Sequence, residues 1–362
     1  MKSSNDNYDC KFRLSQLSMH DIKWCIANIR KLNGKPIKPI PIDCWLECDA
    51  SLEGWGSNFS GQTTGGRWSV EESFHHINYL ELLAGFLSLK SFFDKKHGIH
   101  VGIRSDNVTA VYYLNEMGGM TSESLNNLAM DIWSWCIVRD MLLSVQHIPG
   151  SDNVAADYMS RHISDSKEWM LKKNIFLRIC KQFFNPDTDL FASRLSFQVP
   201  VFASWSFDPL ASFTDAFTLS WSDMKPYIFP PLSLIGNVID KILSDKVVKA
   251  IIIVPLLPTQ SWFPLLLSVL LSLPARLPGH TDLLKIPHTG ECHPMKRRLN
   301  LVACVISGDI CAVKDFRRTL SVQSSPHGGQ QQLNSINFTG KSGLFGAIDG
   351  TVIPLIPLNQ MC

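Results

Sequence analysis

The order of predicted strands and helices between residues 43 and 162 constrains the fold more than any other feature of the sequence. A strand, "CWLECDAS", is followed by the Gly-rich hairpin "NFSGQTTGGRWS", which returns as a second strand. The next run, "NYLELLAGFLSLKSFFDKK", has apolar residues at helical spacing, and strands then alternate with helices as far as "NVAADYMSRH". A strand hairpin followed by this alternation predicts a mixed α/β sheet with flanking helices.

A second α/β unit is predicted from about residue 165. Its most apolar stretch, residues 250 to 274, is interrupted by Pro255, Pro258 and Pro264, so no unbroken part is long enough to span a bilayer. A buried strand followed by a buried helix explains this stretch better. The pattern weakens after about residue 287, and the region 321–343 is rich in Gln, Ser and Gly, so we expect it to lack a packed core.

Composition indicates a globular chain with an uneven charge distribution. The 362 residues suffice for two domains of ordinary size, and 45% of them are hydrophobic. Residues 1–38 hold eight Lys or Arg and three Asp or Glu, whereas residues 43–157 hold six and fifteen. An acidic domain behind a basic arm suits metal binding and phosphate contacts, although an ordinary acidic surface explains the same charges. The ten cysteines form no CxxC pair and the N-terminus is polar, so we expect reduced thiols and an intracellular location, in the cytoplasm or nucleus.

Four carboxylates occupy positions from which they can converge at one edge of the first sheet. Asp49 ends the first strand and Asp106 ends the strand "VGIRSD". Glu81 lies early in the first long helix, and Asp157 lies in the last short helix. Each of them alone is also compatible with a cap, a turn or an exposed helix charge. Together they provide the hard oxygen ligands that Mg²⁺ and Mn²⁺ prefer, and two such ions about 4 Å apart can support phosphodiester hydrolysis.

Four motifs in this region resemble the ribonuclease H domain of retroelement reverse transcriptases, most closely those of DIRS-type and gypsy-type elements. They are "CDASLEGWG", "HINYLELLAG", "IRSDNVTAVYYLN" and "VQHIPGSDNVAADYMSR", and they occur in the family's order over residues 43–162. The resemblance implies a ribonuclease H-like fold with a five-stranded mixed sheet, and cleavage of the RNA strand of RNA–DNA hybrids. It implies that Asp49, Glu81, Asp106 and Asp157 are the catalytic, metal-binding acids, with Mg²⁺ or Mn²⁺ as cofactor, as two ions.

Residues beside these acids have weaker assignments. Ser51 and Asn107 could bind substrate through 2′-hydroxyls, although local turn and cap hydrogen bonds explain them at least as well. We expect the glycines at positions 54 and 56 to let the hairpin turn away and leave room for the substrate backbone. We expect His147 to be a packed strand histidine rather than a proton shuttle.

The second unit resembles the methyltransferase-like segment that follows ribonuclease H in DIRS-type elements, which is similar to adenine methyltransferases of the Dam class. The supporting stretches are "NPDTDLFASRLSFQVPVFASWSFDPLASFTDAFTLSW", "YIFPPLSLI" and "IIIVPLLPTQSWF". In that family, Asn or Asp followed by Pro-Pro-Tyr holds and stacks the target base. The corresponding residues here are Phe229, Pro230, Pro231 and Leu232. The polar acceptor and the aromatic are both missing, so we expect a Rossmann-like α/β domain without methyltransferase activity.

The sequence thus predicts four regions. Residues 1–42 are expected to be a basic connecting arm, a remnant of the connection between polymerase and ribonuclease H, with the polymerase supplied in trans. Residues 43–162 are the ribonuclease H-like domain, 165–286 the degenerate Dam-like domain, and 287–362 a poorly ordered tail or linker. The expected function is hybrid cleavage within a retrotransposon reverse-transcription protein that binds nucleic acid and no membrane. A non-enzymatic nucleic-acid-binding remnant is the alternative, and an active adenine methyltransferase is disfavoured by the altered motif.

Overall fold

The computed structural model describes residues 13–32, 40–163, 168–279, 283–292, 300–320, 344–348 and 351–358. The chain divides into two units, Met1–Ile42 and Asp43–Cys362. Within the described part of the first unit lies a single helix, α1 (Gln16–Leu32), which exposes several large apolar side chains, including Ile26 and Ile29. The polar region 321–343, predicted to lack a packed core, lies outside the described residues.

Five strands form the first sheet: β1 (Cys44–Ala50), β2 (Gly54–Phe59), β3 (Gln62–Arg67), β4 (His100–Ser105) and β5 (Leu142–His147). Their spatial order is β3-β2-β1-β4-β5. The hairpin strands β1, β2 and β3 pair antiparallel, whereas β4 pairs parallel with both β1 and β5. The predicted five-stranded mixed sheet is therefore confirmed.

Four helices flank this sheet: α2 (Ile77–Phe93), α3 (Val108–Asn115), α4 (Glu123–Val138) and α5 (Val154–Arg161). α2 is apolar on most of its surface because it lies between the sheet and the helices α3 and α4. α3 and α4 begin at Asn107 and Ser122, whose side chains accept backbone N–H groups that the first helical turn leaves unpaired. These caps fix where the helices start relative to the ends of the strands.

The remaining elements of the second unit belong to a second α/β region. Its helices are α6 (Lys173–Gln182), α7 (Ile235–Ser244), α8 (Trp262–Ser268) and α9 (Ile310–Arg318). Its strands are β6 (Met170–Leu171), β7 (Thr188–Asp189), β8 (Ala203–Ser204), β9 (Phe213–Thr214), β10 (Pro226–Ile228), β11 (Ala250–Pro255), β12 (Ala275–Arg276), β13 (Leu284–Lys285), β14 (Leu301–Ile306), β15 (Leu344–Ile348), β16 (Thr351–Pro354) and β17 (Ile356–Pro357).

Six of these strands form the main sheet of the region, in the order β17-β12-β14-β11-β10-β7. β7, β10 and β11 are parallel, β14 is antiparallel to its neighbours β11 and β12, and β17 is parallel to β12. β11 and β14 are buried along their whole length, as their unbroken β-branched and apolar sequences require. The predicted second α/β sheet is present, and it is mixed.

This sheet extends past the boundary that the sequence predicted at residue 286. β14 lies at its centre, and β17 forms its edge, although both come from the region 287–362 that was expected to be a tail or linker. The strand Leu301–Ile306 was missed because a short, continuous apolar run between polar segments has no periodicity that identifies it as a strand.

The apolar stretch 250–274 contains the buried strand β11, as predicted, followed by the helix α8. α8 buries one face only, because Leu265 is exposed. Among the described residues, no helix has both the length and the apolar character needed to cross a membrane.

The second region covers the edge strand β3 of the first sheet. The Arg194 guanidinium donates hydrogen bonds to the Glu72 carboxylate at 2.8 and 2.9 Å and to the Arg67 carbonyl at 2.6 Å. The Thr64 hydroxyl donates to the Phe207 carbonyl, and the Phe207 and Phe92 rings lie 5.1 Å apart. Covering an edge in this way satisfies backbone groups that would otherwise offer a template for pairing with another chain.

Candidate metal centre

The central strand β1 presents consecutive side chains to opposite faces of the first sheet, as a pleated strand must. Cys48 faces α2, where its sulphur lies 3.8 Å from the position that a Cβ on Gly85 would take. Asp49 faces α5, where its carboxylate accepts a hydrogen bond from Ser160. Asp49 thus sits beneath α5, at the end of the strand nearest the following turn.

The structure brings three of the four predicted acids together. One carboxylate oxygen from each of Asp49, Glu81 and Asp106 lies within 4.8 Å of the other two. Asp106 follows β4 directly, and β4 is the parallel neighbour of β1, so the two strands end at the same edge. Glu81 reaches this edge from the first turns of α2.

Two of these carboxylates are buried, Asp106 is partly exposed, and the three repel one another. Asp49 is 4% exposed and Glu81 is 6% exposed. Burial, followed by the negative charges of Asp49 and Asp106, raises the pKa of Glu81 to about 9. Burial raises the pKa of Asp49 to about 6, and Asp106 and Asp157 add to this, whereas the Ser160 hydrogen bond opposes it. Both shifts have the direction expected when like charges share a site of low polarity.

The donor set fits a divalent cation of the Mg²⁺ or Mn²⁺ type. The Glu81 carboxylate hydrogen-bonds the backbone of Ala50, yet its Oε2 is buried and has no hydrogen-bond partner among the described residues. Three oxygen ligands of like charge and an unsatisfied buried carboxylate oxygen are what a hard cation would satisfy. The cluster could therefore hold a metal ion.

Asp157 is near this group without being part of it. Its Oδ1 accepts a hydrogen bond from Arg161 Nε at 2.7 Å, in an exposed i,i+4 ion pair on α5. Its charge still acts on Asp49, because it contributes to the raised pKa of that residue. The fourth predicted ligand is thus close enough to interact electrostatically but is paired with a cation from its own helix.

Ser51 and Asn107 make the local hydrogen bonds that were the alternative to substrate binding. The Ser51 hydroxyl donates to the Ser160 carbonyl at 2.8 Å and accepts the backbone N–H groups of Glu53 and Gly54 at 3.1 Å. Asn107 Oδ1 caps α3 by accepting the Ala110 N–H at 2.9 Å. A role of either residue in substrate binding stays a prediction.

Two residues of the α5 segment contact the site and were not predicted. The Ser160 hydroxyl lies 2.6 Å from Asp49 Oδ2, and Asn153 Nδ2 donates to the Cys48 carbonyl at 2.9 Å. Both are fully buried. Asn153, Asp157 and Ser160 recur at helical spacing, so the face of α5 that carries Asp157 was a signal from which they could have been found.

The glycines of the hairpin have a different role from the one predicted. A Cβ on Gly56 would lie 2.2 Å from the Ala156 carbonyl oxygen and 2.4 Å from the Ser160 nitrogen, both in α5. Gly56 is also the residue that pairs with Asp49 across β1 and β2. The space beside Gly56 is therefore filled by the backbone of α5, so the expectation that it is left for substrate is wrong at this glycine.

The loop before α5 also approaches the cluster closely. A Cβ on Gly150 would lie 2.9 Å from Asp106 Oδ2, so only glycine leaves this carboxylate its present position. His147, predicted to be packed, is exposed at the end of β5, and its Nε2 lies 3.1 Å from the Asp106 carbonyl oxygen. The packing prediction for His147 is wrong because His147 is the last residue of the edge strand β5, where its side chain is exposed.

The altered motif Phe229-Pro230-Pro231-Leu232 lies directly after β10, between that strand and α7. Phe229 packs against a buried apolar cluster of the second region that includes Tyr227 and Ile251, whereas Leu232 is exposed. The motif occupies the end of a parallel strand, and its own side chains offer no polar group there.

Comparisons with solved structures find similarity over about a third of the chain. RNase H1 from the halophilic archaeon Halobacterium salinarum NRC-1 is 16% identical, with 32% of this chain and 91% of that chain covered and a TM-score of 0.25. LC11-RNase H1, solved in complex with an RNA/DNA hybrid, is 19% identical, with 32% and 90% covered and a TM-score of 0.27. A structure of LC11-RNase H1 isolated from compost by a metagenomic approach is 17% identical, with 32% and 89% covered and a TM-score of 0.22.

The first sheet, with its order β3-β2-β1-β4-β5, its antiparallel hairpin and its parallel pairs, is the five-stranded mixed sheet that the ribonuclease H-like sequence motifs imply. No protein-family model and no curated protein matches the sequence.

Proposed function

We propose that the region 43–162 is a metal-dependent endoribonuclease that cleaves the RNA strand of RNA–DNA hybrids. The observation that supports it most is the convergence of Asp49, Glu81 and Asp106 within 4.8 Å at one edge of a ribonuclease H-type sheet. The choice of hybrid as substrate rests on the four sequence motifs that carry these acids.

The proposed cofactor is two Mg²⁺ or Mn²⁺ ions, which residues of this chain would bind and orient. Asp49, Glu81 and Asp106 are the proposed ligands. Asp157 would join them by giving up its ion pair with Arg161 and binding the cation instead. Cations bound there would supply the Lewis acid that activates a water and stabilises the leaving oxygen in phosphodiester hydrolysis. α2, β1 and β4 hold the ligands in place before substrate arrives, which lowers the cost of organising the site.

The wider assignment follows the motifs. We propose that the chain derives from a DIRS-type retroelement and that residues 1–42 are a basic connecting arm of the kind that joins polymerase to ribonuclease H. The second region is proposed to be a degenerate Dam-like domain that serves as a scaffold, because Phe229 and Leu232 replace the polar acceptor and the aromatic.

The test is cleavage of a labelled RNA–DNA hybrid by the purified full-length chain, with Mg²⁺, Mn²⁺ or EDTA. We expect cleavage of the RNA strand that requires the divalent cation and spares the DNA strand, duplex DNA and single-stranded RNA. Salt-sensitive hybrid binding without cleavage at any metal concentration would favour the non-enzymatic alternative instead.

A further inference from the structure

Hydrogen bonds join both ends of α5 to the central strand β1 and the turn that follows it. At its start, Asn153 Nδ2 donates to the Cys48 carbonyl at 2.9 Å. At its other end, the Ser160 hydroxyl lies 2.6 Å from Asp49 Oδ2, and the Ser51 hydroxyl donates to the Ser160 carbonyl at 2.8 Å. The residues on either side of Asp49 are thus tied to the same helix.

We propose that Ser160 is a positioning residue for the metal ligand Asp49. This inference rests on the proposed function, because it concerns the same carboxylate cluster. A carboxylate has two oxygens and rotates about its bond to Cβ, so a hydrogen bond to Oδ2 fixes the plane of the group. The other oxygen is then left to a cation shared with Glu81 and Asp106.

The Ser160 hydroxyl has two acceptors within reach, and it has one hydrogen to give. Asp49 Oδ2 lies at 2.6 Å, and the Asp157 carbonyl of the same helix lies at 2.9 Å. A charged acceptor gives the shorter and stronger bond, so Asp49 receives the hydrogen. Ser88 in α2 shows the ordinary behaviour of a buried helical serine, because its hydroxyl donates to the Ala84 carbonyl of its own helix at 2.7 Å.

The position of Ser160 is set by backbone packing rather than by its side chain. A Cβ on Gly56 would lie 2.4 Å from the Ser160 nitrogen, so the last turn of α5 lies directly on β2, opposite Asp49. Ser160 itself is fully buried. A hydroxyl held in this way orients its partner without having to become ordered when the cation binds. Partners that orient a metal ligand typically change metal affinity by about tenfold to a hundredfold when they are removed.

The experiment measures Mn²⁺ binding to the full-length chain by electron paramagnetic resonance, in wild type, Ser160→Ala, Ser160→Thr and the matched control Ser88→Ala. Both alanine variants lose one buried serine hydroxyl, but only Ser160→Ala loses a bond to the cluster. We expect Ser160→Ala to bind Mn²⁺ about tenfold more weakly and to need correspondingly more metal for half-maximal hybrid cleavage. Ser160→Thr keeps the hydroxyl and should restore most of the affinity, and Ser88→Ala should bind as wild type does.

Thermal unfolding in EDTA accompanies each measurement, because a loss of affinity counts only in a variant that remains folded. If Ser160→Ala does not fold, Ser160→Cys replaces it under the same criterion, since a thiol fills the site and donates only weakly. Mn²⁺ affinity of folded Ser160→Ala equal to that of wild type would overturn the positioning role while leaving hybrid cleavage by wild type intact. Absence of both Mn²⁺ binding and cleavage in the wild type would instead overturn the proposed function itself.

Discussion

Each of the two sheets buries an aspartate near the end of a parallel-paired strand, and the two carboxylates have different surroundings. Asp49 in β1 faces two further acids, Glu81 and Asp106. Asp189 in β7 instead accepts backbone N–H groups, from Gln198 at 2.9 Å and from Phe191 at 3.4 Å. The first carboxylate belongs to a cluster of like charges, and the second is held by its own loop.

A raised pKa does not separate these two environments. Burial raises the pKa of Asp189 to about 7, in the same direction as the pKa of Asp49. What distinguishes the first site is the presence of several carboxylates together, with a Glu81 oxygen that has no partner among the described residues. A buried aspartate held by backbone donors indicates a structural role, whereas several acids crowded around an unsatisfied carboxylate oxygen indicate a cation site.

The largest expected effect concerns cleavage by variants of the cluster. Asp49→Asn and Asp106→Asn should each lower hybrid cleavage in Mg²⁺ by about a thousandfold or more, because each removes a charged ligand from the site. Folding should be nearly unchanged or slightly improved in the metal-free protein, since one of several like charges is gone. A wild-type cleavage rate in either variant would contradict the assignment of Asp49 and Asp106 as metal ligands.

Asp189→Asn is the matched change in the second sheet. An amide cannot accept both backbone N–H groups, so this variant should lose about 1–3 kcal/mol of stability. Its cleavage rate per folded molecule should equal that of wild type. A strong loss of cleavage in folded Asp189→Asn would show that the two regions are coupled in activity.

The next effect compares two glycines. Gly56→Ala should destabilise the chain by roughly 3 kcal/mol, because the added Cβ meets backbone atoms of α5 that cannot move away cheaply. Gly236 in α7 has no atom within 4 Å of the corresponding position, so Gly236→Ala should instead stabilise by about 0.5 kcal/mol. Urea unfolding of both variants measures the difference, and equal effects would contradict the docking of α5 on β2.

A smaller effect is expected in the pH dependence of stability. In the folded, metal-free chain Glu81 keeps its proton until about pH 9, whereas an unfolded glutamate loses it near 4.5. The folded state therefore binds more protons in this window, and the free energy of unfolding should fall as pH rises through it. Asp49 and Asp189 contribute only up to about 6 and 7.

Urea unfolding in EDTA between pH 7 and 8 therefore reports mainly on Glu81, because the buried cysteines lose their protons in the unfolded chain only near their ordinary pKa of 9.0. The decline in this interval should be reduced in Glu81→Gln and also in wild type with saturating Mg²⁺. A decline of the same slope in Glu81→Gln would assign it to other groups.

The last prediction is that the second region transfers no methyl group to DNA. Incubation of the full-length chain with labelled S-adenosylmethionine and DNA should give no label in adenine above a heat-killed control, because Phe229 accepts no hydrogen bond and Leu232 has no ring for stacking. Label above the control would show that another residue supplies the acceptor and that the motif was aligned wrongly.

The first sheet could be predicted because its signals are local. The hairpin, the helix of Glu81 and the strand before Asp106 each show their periodicity within a short window, and the acids mark the strand ends. Ser160 was missed and Gly56 was given the wrong role, because the contacts of both depend on which helix lies over which strand. The spacing in α5 places Ser160 on the face of Asp157, but it does not specify what that face covers. The second sheet was predicted in outline, but its extent was not, since β14 is separated from its partner β11 by a long segment.

That separation has a consequence for how the chain reaches its folded state. β14 pairs with both β11 and β12 at the centre of the second sheet, so this sheet cannot be completed until residue 306 has been synthesised. Until then β11 presents six buried-type residues on an open edge, as an aggregation-prone strand does. All five strands of the first sheet, and α5, precede residue 162, so they can pair before β14 is made. The edge strand β3 is then covered once Arg194 and Phe207 have been synthesised.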